Sequence, residues 1–209
     1  MTDIAIVVYD GFDELDAIGP YEVFSHAADA GADCEVSLVS LDPVDRVTAS
    51  HGLRIEPDGG LESADGPERP DLLVVPGGGW SARDESAGAW VQAERGDLPD
   101  RLGAFHEAGV TLASVCTGGM LLAHAGVLAG RPAVTHASAL EDLADYAGEV
   151  VDARLVDDGD VLTAGGITAG IDLALHLVGR EFGEKTARRV ETVMEYEPRS
   201  AGFSPKSPN

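Results

Sequence analysis

Cys116 is the residue whose surroundings say most about chemistry. It lies in Ser114-Val115-Cys116-Thr117-Gly118, after the apolar, partly β-branched Val110-Thr111-Leu112-Ala113 and before Gly119-Met120-Leu121-Leu122-Ala123-His124-Ala125. The first stretch reads as a buried strand and the last as a helix, so the cysteine falls on a sharp turn between them. Small residues two before and two after it complete the small-x-nucleophile-x-small pattern of a nucleophile elbow, with Cys in place of Ser. Such a bend crowds its flanks and presents the central side chain at a helix N-terminus. The partial positive charge there favours a thiolate and predicts a lowered thiol pKa. A buried structural cysteine is the bland alternative. The small flanks favour a reactive thiol.

A thiol nucleophile needs a group to move a proton and donors to hold developing charge. Asp16, within Leu15-Asp16-Ala17-Ile18-Gly19-Pro20, is a carboxylate in an apolar stretch. Turned inward beside Cys116, its pKa would rise and it could donate a hydrogen bond to the sulfur. Turned outward it would be a capping or solvated acid, a role for which Asp10, Asp13 and Glu14 are better placed; Glu22 is the competing acid. Gly77-Gly78-Gly79 follows a strand-like segment and offers backbone N–H groups with no side chain in the way. With the amide of Thr117 they could form an anion hole; a plain turn is the alternative, and no Lys-Ser/Thr follows to make a phosphate loop. Thr117 could hold substrate or water, or simply start a helix. His136 could act as a base, although a lone His at a strand end is more often structural. Gly165 and Gly166, in Thr163-Ala164-Gly165-Gly166-Ile167-Thr168-Ala169-Gly170, would line the pocket or pack against the elbow. No spacing of His, Cys or acids reads as a metal site, and no cofactor motif is present.

The elements that must position these residues alternate between strand and helix. Strands are predicted at 4–9, 35–41, 71–76, 110–113, 132–136, 153–156 and 161–164, with an extended pair through 48–56 around His51-Gly52. Helices are predicted at 15–30, 101–108, 119–125, 139–146, 167–182 and 184–194, the first with an irregular opening turn and a firm start at Pro20. The order implies an α/β fold: a three-layer sandwich with a mainly parallel central sheet and helices on both faces. One domain is expected over 1–198, followed by a frayed Pro- and Ser-rich tail at 199–209. In such sheets ligands sit at the carboxyl ends of the strands, where Asp10-Gly11, Gly77-Gly78 and Cys116 all fall.

These residues resemble a known group. Val115-Cys116-Thr117-Gly118 and the following 121–136, together with Leu15–Pro20, Val75-Pro76-Gly77-Gly78, Leu162–Asp172 and Glu195-Tyr196-Glu197-Pro198, are similar to the isonitrile hydratase branch of the PfpI family, in the class I glutamine amidotransferase-like superfamily. The likeness runs from residue 3 to about 198. It implies a flavodoxin-like sandwich, commonly a homodimer, acting on a small molecule without metal or organic cofactor. It implies Cys116 as nucleophile, Asp16 as its acidic partner, Thr117 as a residue needed for isonitrile hydration, and an anion hole around Gly78 and the Thr117 amide. Protease and glyoxalase-like members have His directly after the Cys; Thr117 stands there instead. The sequence departs from the branch at Ala137, where an aromatic commonly follows Thr-His. The same domain occurs in AraC-type regulators fused to a helix-turn-helix. Three readings follow: a cysteine-dependent isonitrile hydratase, a glyoxalase- or deglycase-like enzyme on reactive carbonyls, and a non-enzymatic ligand- or redox-sensing domain.

Composition narrows the partners. The 209 residues include 37 acids against 14 Lys and Arg, a net charge of −23. The only lysines are Lys185 and Lys206, and the acids are spread along the whole chain. A basic face for nucleic acid is therefore disfavoured. No apolar run is long enough to span a bilayer and no signal-peptide pattern opens the sequence, so a cytoplasmic location is expected. Only two cysteines occur, which suits a reducing compartment. Dispersed acidity with scarce lysine suits a solvated surface adapted to high salt. Self-repulsion at low ionic strength should loosen the fold. The thermal midpoint is therefore expected to rise as salt goes from about 0.1 M, where the Debye length is about 10 Å, to about 1 M, where it is about 3 Å; scanning calorimetry across that range checks it.

Overall fold

The computed structural model describes residues 1–83 and 86–199. In chain order the elements are β1 (Thr2–Val7), α1 (Glu14–Asp29), β2 (Cys34–Ser40), β3 (Val47–Thr48), β4 (Arg54–Ile55), β5 (Gly59–Gly60), β6 (Leu72–Val75), α2 (Ala89–Arg95), α3 (Asp97–Glu107), β7 (Thr111–Val115) and α4 (Gly118–His124). After these come β8 (Pro132–Ala133), a 3-10 turn, α5 (Leu140–Leu143), β9 (Glu149–Val150), β10 (Leu155–Asp157), β11 (Val161–Ala164), α6 (Ala169–Phe182) and α7 (Glu184–Met194). Seven strands form one sheet in the order β10-β11-β7-β6-β1-β2-β5. Only the β10–β11 pairing is antiparallel; the rest run parallel. α1, α6 and α7 pack together on one face, and α2, α3 and α4 on the other. This is the three-layer α/β sandwich that the alternating pattern predicts, in the flavodoxin-like form that the resemblance implies. Among the described residues no helix is long and apolar enough to cross a membrane.

Central strands buried on both faces explain the uniform apolar runs. Leu72, Leu73, Val74 and Val75 of β6 are all buried, as are Leu112, Ala113, Ser114 and Val115 of β7. From β1 the chain steps one way to β2 and the other way to β6, β7 and β11. The switch point therefore lies between β1 and β6, and the loops leaving their carboxyl ends, 8–13 and 76–79, diverge around a crevice.

Three expectations need correcting. β1 starts at Thr2 and ends at Val7 rather than spanning 4–9. α1 has no irregular turn before Pro20: it starts at Glu14, capped by the Asp13 side chain accepting from the Leu15 amide at 3.3 Å, and runs through Pro20. Proline removes one helical donor, but Gly19 and Pro20 are both buried. A Cβ on Gly19 would lie 3.1 Å from Ile171, so tight packing on α6 overrides the local signal. The third correction is α2, which was not anticipated. It is capped by glycine at both ends, with Gly88 at φ 105° and Gly96 at φ 82°. Of the tail expected at 199–209, residues 200–209 lie outside the described residues.

Gly118 shows what the elbow demands of its flank. A Cβ there would fall on the Val75 carbonyl oxygen and against Pro76. Gly118→Ala must therefore push α4 away from β6, at a cost of about 2–4 kcal/mol. Urea unfolding should register this as a lower midpoint with an unchanged slope.

Candidate active site

Cys116 occupies the strand-to-helix bend with φ 57°, a left-handed conformation rarely taken by residues with a side chain. Backbone contacts hold it there. Its N–H donates to the carbonyls of Ala164 and Gly165 at 3.1 and 2.9 Å. Its carbonyl accepts from the Thr135 hydroxyl at 2.7 Å. Such strain costs on the order of 1–3 kcal/mol and persists where the surroundings over-determine it. A second left-handed residue, Ile167 at φ 31°, precedes α6. The N–H groups of Ile167 and Thr117 both face the Cys116 sulfur.

Asp16 points inward. It is fully buried on the inner side of α1, while Glu22 is exposed and pairs with His26 at 3.5 Å. Oδ2 of Asp16 accepts from the Gly77 amide at 3.0 Å. Oδ1 has no hydrogen-bond partner among the described residues, and the Cys116 thiol lies near the carboxyl. Burial, with the Asp13 charge adding to it, pushes the Asp16 pKa up to about 8, against two smaller opposing pulls from the Gly77 amide and the thiol. At neutral pH this group is a carboxylic acid.

The sulfur departs from expectation. Burial first and then the Asp16 charge push its pKa up to about 12, and the Ile167 and Thr117 amides do not outweigh them. The reason is physical: α4 has only seven residues, while Cys116 is 6% exposed and its thiol lies beside an acid. The resting pair is a thiol next to a neutral acid, not a free thiolate.

The glycine loop is also different from an open anion hole. Pro76 O accepts from the Tyr9 hydroxyl at 2.7 Å, Gly77 N–H donates to Asp16, and Gly77 O accepts from Asp13 N–H at 2.8 Å. Gly78 N–H donates to Thr117 Oγ1 at 2.9 Å, and Gly78 O accepts from Ala89 N–H at 2.7 Å. Gly77 and Gly78 therefore hold the acid and the Thr117 side chain rather than standing free. Glycine is required at both: a Cβ on Gly77 would strike Thr117, and Gly78 has φ 119° with Asp13 and Gly11 backbone against it. Gly165 carries the elbow amide. Gly166 makes room for His136, since a Cβ there would lie 2.5 Å from the ring. His136 itself caps the 3-10 turn, with Nδ1 accepting from the Ser138 amide at 3.1 Å. It stands against the segment that supplies the Ile167 amide.

Three contributors were not anticipated. Tyr9 is the buried phenol on Pro76. Glu14 and His51 pair at 2.7 Å where β3 and β4 cover the 10–14 turn; burial pushes the Glu14 carboxyl up, but bonds from His51 and Ser50 bring it down to about 2. Asp172, buried at the start of α6, accepts from Arg154, from the Tyr196 hydroxyl at 3.0 Å and from the Arg199 amide at 2.9 Å. Arg154 also reaches Thr168 at 3.1 Å, and its carbonyl accepts from Gly165. The 195–198 motif thus anchors the segment carrying Ile167. Their sequence traces are slight: the apolar run ending in Tyr9 and the acidic Asp172 within Ile171-Asp172-Leu173.

Residues 2–180 match the DJ-1/PfpI family. The chain belongs to the DJ-1/PfpI family. Among family relatives, isonitrile hydratase of Pseudomonas putida is 36% identical over 196 residues, covering 93% of this chain and 78% of that protein. The HTH-type transcriptional regulator GbdR of Pseudomonas aeruginosa is 33% identical over 154 residues, 73% of this chain but 39% of the regulator. The crystal structure of Drosophila melanogaster DJ-1beta superposes with a TM-score of 0.79 at 22% identity, covering 94% of this chain and 98% of that one, and so shares its fold. The DJ-1/PfpI family thus contains both enzymes and regulators that resemble this chain.

The neutral Asp16 has a stability consequence. An acid whose pKa rises from 3.8 unfolded to about 8 folded costs stability as pH rises between those values, because only the unfolded chain ionises. Asp16→Asn keeps an acceptor for Gly77 and removes that cost. The variant should be close to wild type in stability near pH 4. It should then gain on wild type by on the order of 1.4 kcal/mol per pH unit toward pH 8; urea titrations at both ends check it.

Proposed function

We propose that this chain is a cysteine-dependent hydratase that adds water to an isonitrile and releases an N-substituted formamide. The observation that carries the reading is the pairing of Cys116 with a buried, neutral Asp16 and two amides facing the sulfur. Isonitrile carbon is an unusual electrophile because it must gain a proton and a nucleophile at the same atom. A thiol beside a carboxylic acid supplies both. Asp16 delivers its proton to the terminal carbon, Cys116 attacks that carbon through sulfur, and the thiol proton passes to the Asp16 carboxylate. The product is a thioimidate, Cys116-S–CH=N–R, with Asp16 again protonated. Water then adds to the imidate carbon, a proton moves to nitrogen, and the C–S bond breaks to release R–NH–CHO and the thiol. One isonitrile and one water enter and one formamide leaves.

The Ile167 and Thr117 amides support the sulfur as its charge changes. In this reading Thr117 Oγ1, which accepts from the Gly78 amide, also accepts from the attacking water. Thr117 in place of His directly after the nucleophile, and 36% identity to the Pseudomonas putida hydratase, support this reading over one on reactive carbonyls. His136, Gly165 and Gly166 belong to the wall that carries the Ile167 amide.

Incubation with a small alkyl isonitrile, followed by proton NMR, should show the formyl signal of the formamide growing with turnover. Cys116→Ala should abolish it, and Asp16→Asn should lower kcat by about 10²–10⁴-fold, the usual weight of a general acid. Lactate from methylglyoxal with no formamide from any isonitrile would overturn the assignment.

A further inference from the structure

Tyr9 and Asp16 grip opposite edges of one peptide group. The phenol of Tyr9 is buried at 6% exposure, edge-on to Phe12 with ring centroids 6.5 Å apart, and donates to the Pro76 carbonyl at 2.7 Å. The same peptide unit ends in the Gly77 N–H, which donates to Asp16 Oδ2 at 3.0 Å. No peptide bond among the described residues is cis. The Pro76 carbonyl and the Gly77 N–H therefore point in opposite directions across one rigid plane, and a tilt of that plane disturbs both bonds together. Gly77 has no side chain to hold the plane. The next peptide is held separately, by Asp13 on the Gly77 carbonyl and Thr117 on the Gly78 amide.

We propose that Tyr9 is a positioning residue: by holding the Pro76 carbonyl it aims the Gly77 amide, and through that amide it fixes the Asp16 carboxyl toward Cys116. Phenylalanine would fill the same volume, so the hydroxyl carries the effect. Donation to the carbonyl also polarises the peptide and strengthens the N–H at its other end. The ionisable groups that bear on Asp16 are Asp13 in the turn before α1, Cys116 at the elbow and Tyr9 after β1, and no cation is among them. The Gly77 amide is thus the chief outside stabiliser of the carboxylate form. The catalytic meaning of the relay rests on the hydratase reading, but its geometry does not.

The test follows Asp16 itself. With aspartate labelled with ¹³C at Cγ, the Asp16 signal is the one lost in Asp16→Asn, and its chemical shift is titrated. Tyr9→Phe should move the midpoint up by about one pH unit, the size expected when one bond to a charged carboxylate is lost. 3-Fluorotyrosine at position 9, a stronger donor of nearly the same shape, should move it down. Tyr196→Phe, which removes a phenol from Asp172 instead, should leave it in place. An unmoved midpoint in Tyr9→Phe overturns the proposal, and so does an equal shift in Tyr196→Phe. Should Tyr9→Phe not fold, the fluorotyrosine protein decides: a downward shift upholds the relay and no shift overturns it. No substrate is needed, so a chain that shows these shifts yet hydrates no isonitrile overturns the proposed reaction and leaves the Tyr9 relay standing.

Discussion

Cys116 stays in a left-handed conformation because backbone meets it on several sides. The Ala164 and Gly165 carbonyls take its amide, the Thr135 hydroxyl takes its carbonyl, and the Val75 carbonyl lies where a side chain on Gly118 would have to go. Each of these contacts comes from a different part of the chain, so the bend exists only in the finished sheet. The strain it stores is local, and the parallel strands on either side offset it through their burial. The whole site is arranged around the direction this bend gives the sulfur.

That direction places sulfur and carboxyl together in a region with little water. At neutral pH neither carries a charge there. Burial makes both groups hold protons; the Asp16 charge adds to this at the thiol, and the Asp13 charge adds to it at Asp16. The loop from Pro76 to Gly78 then acts as a harness, with its amides and carbonyls facing Tyr9, Asp16, Asp13, Thr117 and Ala89. The glycines are there for closeness of approach. A pair that keeps its protons until a substrate accepts one is suited to a reaction in which a single carbon must receive both proton and nucleophile.

Much of this is legible in the sequence alone. The nucleophile pattern around Cys116 depends on side-chain size at fixed spacing, which a sequence displays directly. Asp16 was legible because a lone acid in an apolar stretch is anomalous. The strands were legible because burial on both faces leaves an unbroken apolar run. The sequence misled where tertiary contact overrides a local rule. Gly19-Pro20 suggests a break, yet the buried seam with Ile171 carries α1 through it. A cysteine at a helix start suggests a thiolate, yet α4 is too short and the site too dry. Glycines after a strand suggest open amides, but which partner takes an amide is decided by loops distant in sequence. Ile167 was invisible, since nothing in a β-branched residue announces a left-handed backbone.

The network at Asp172 has a bearing on how the molecule comes into being. Tyr196 and the Arg199 amide are among the last described groups of the chain, and they meet Asp172 and, through it, Arg154 and Thr168 around the segment that turns the Ile167 amide to the sulfur. During synthesis the elbow strand and its cysteine leave the ribosome long before that clasp can close. A nascent chain therefore carries its thiol without the support that aims it, and the Ile167 amide is braced only once residues 196–199 have joined the fold.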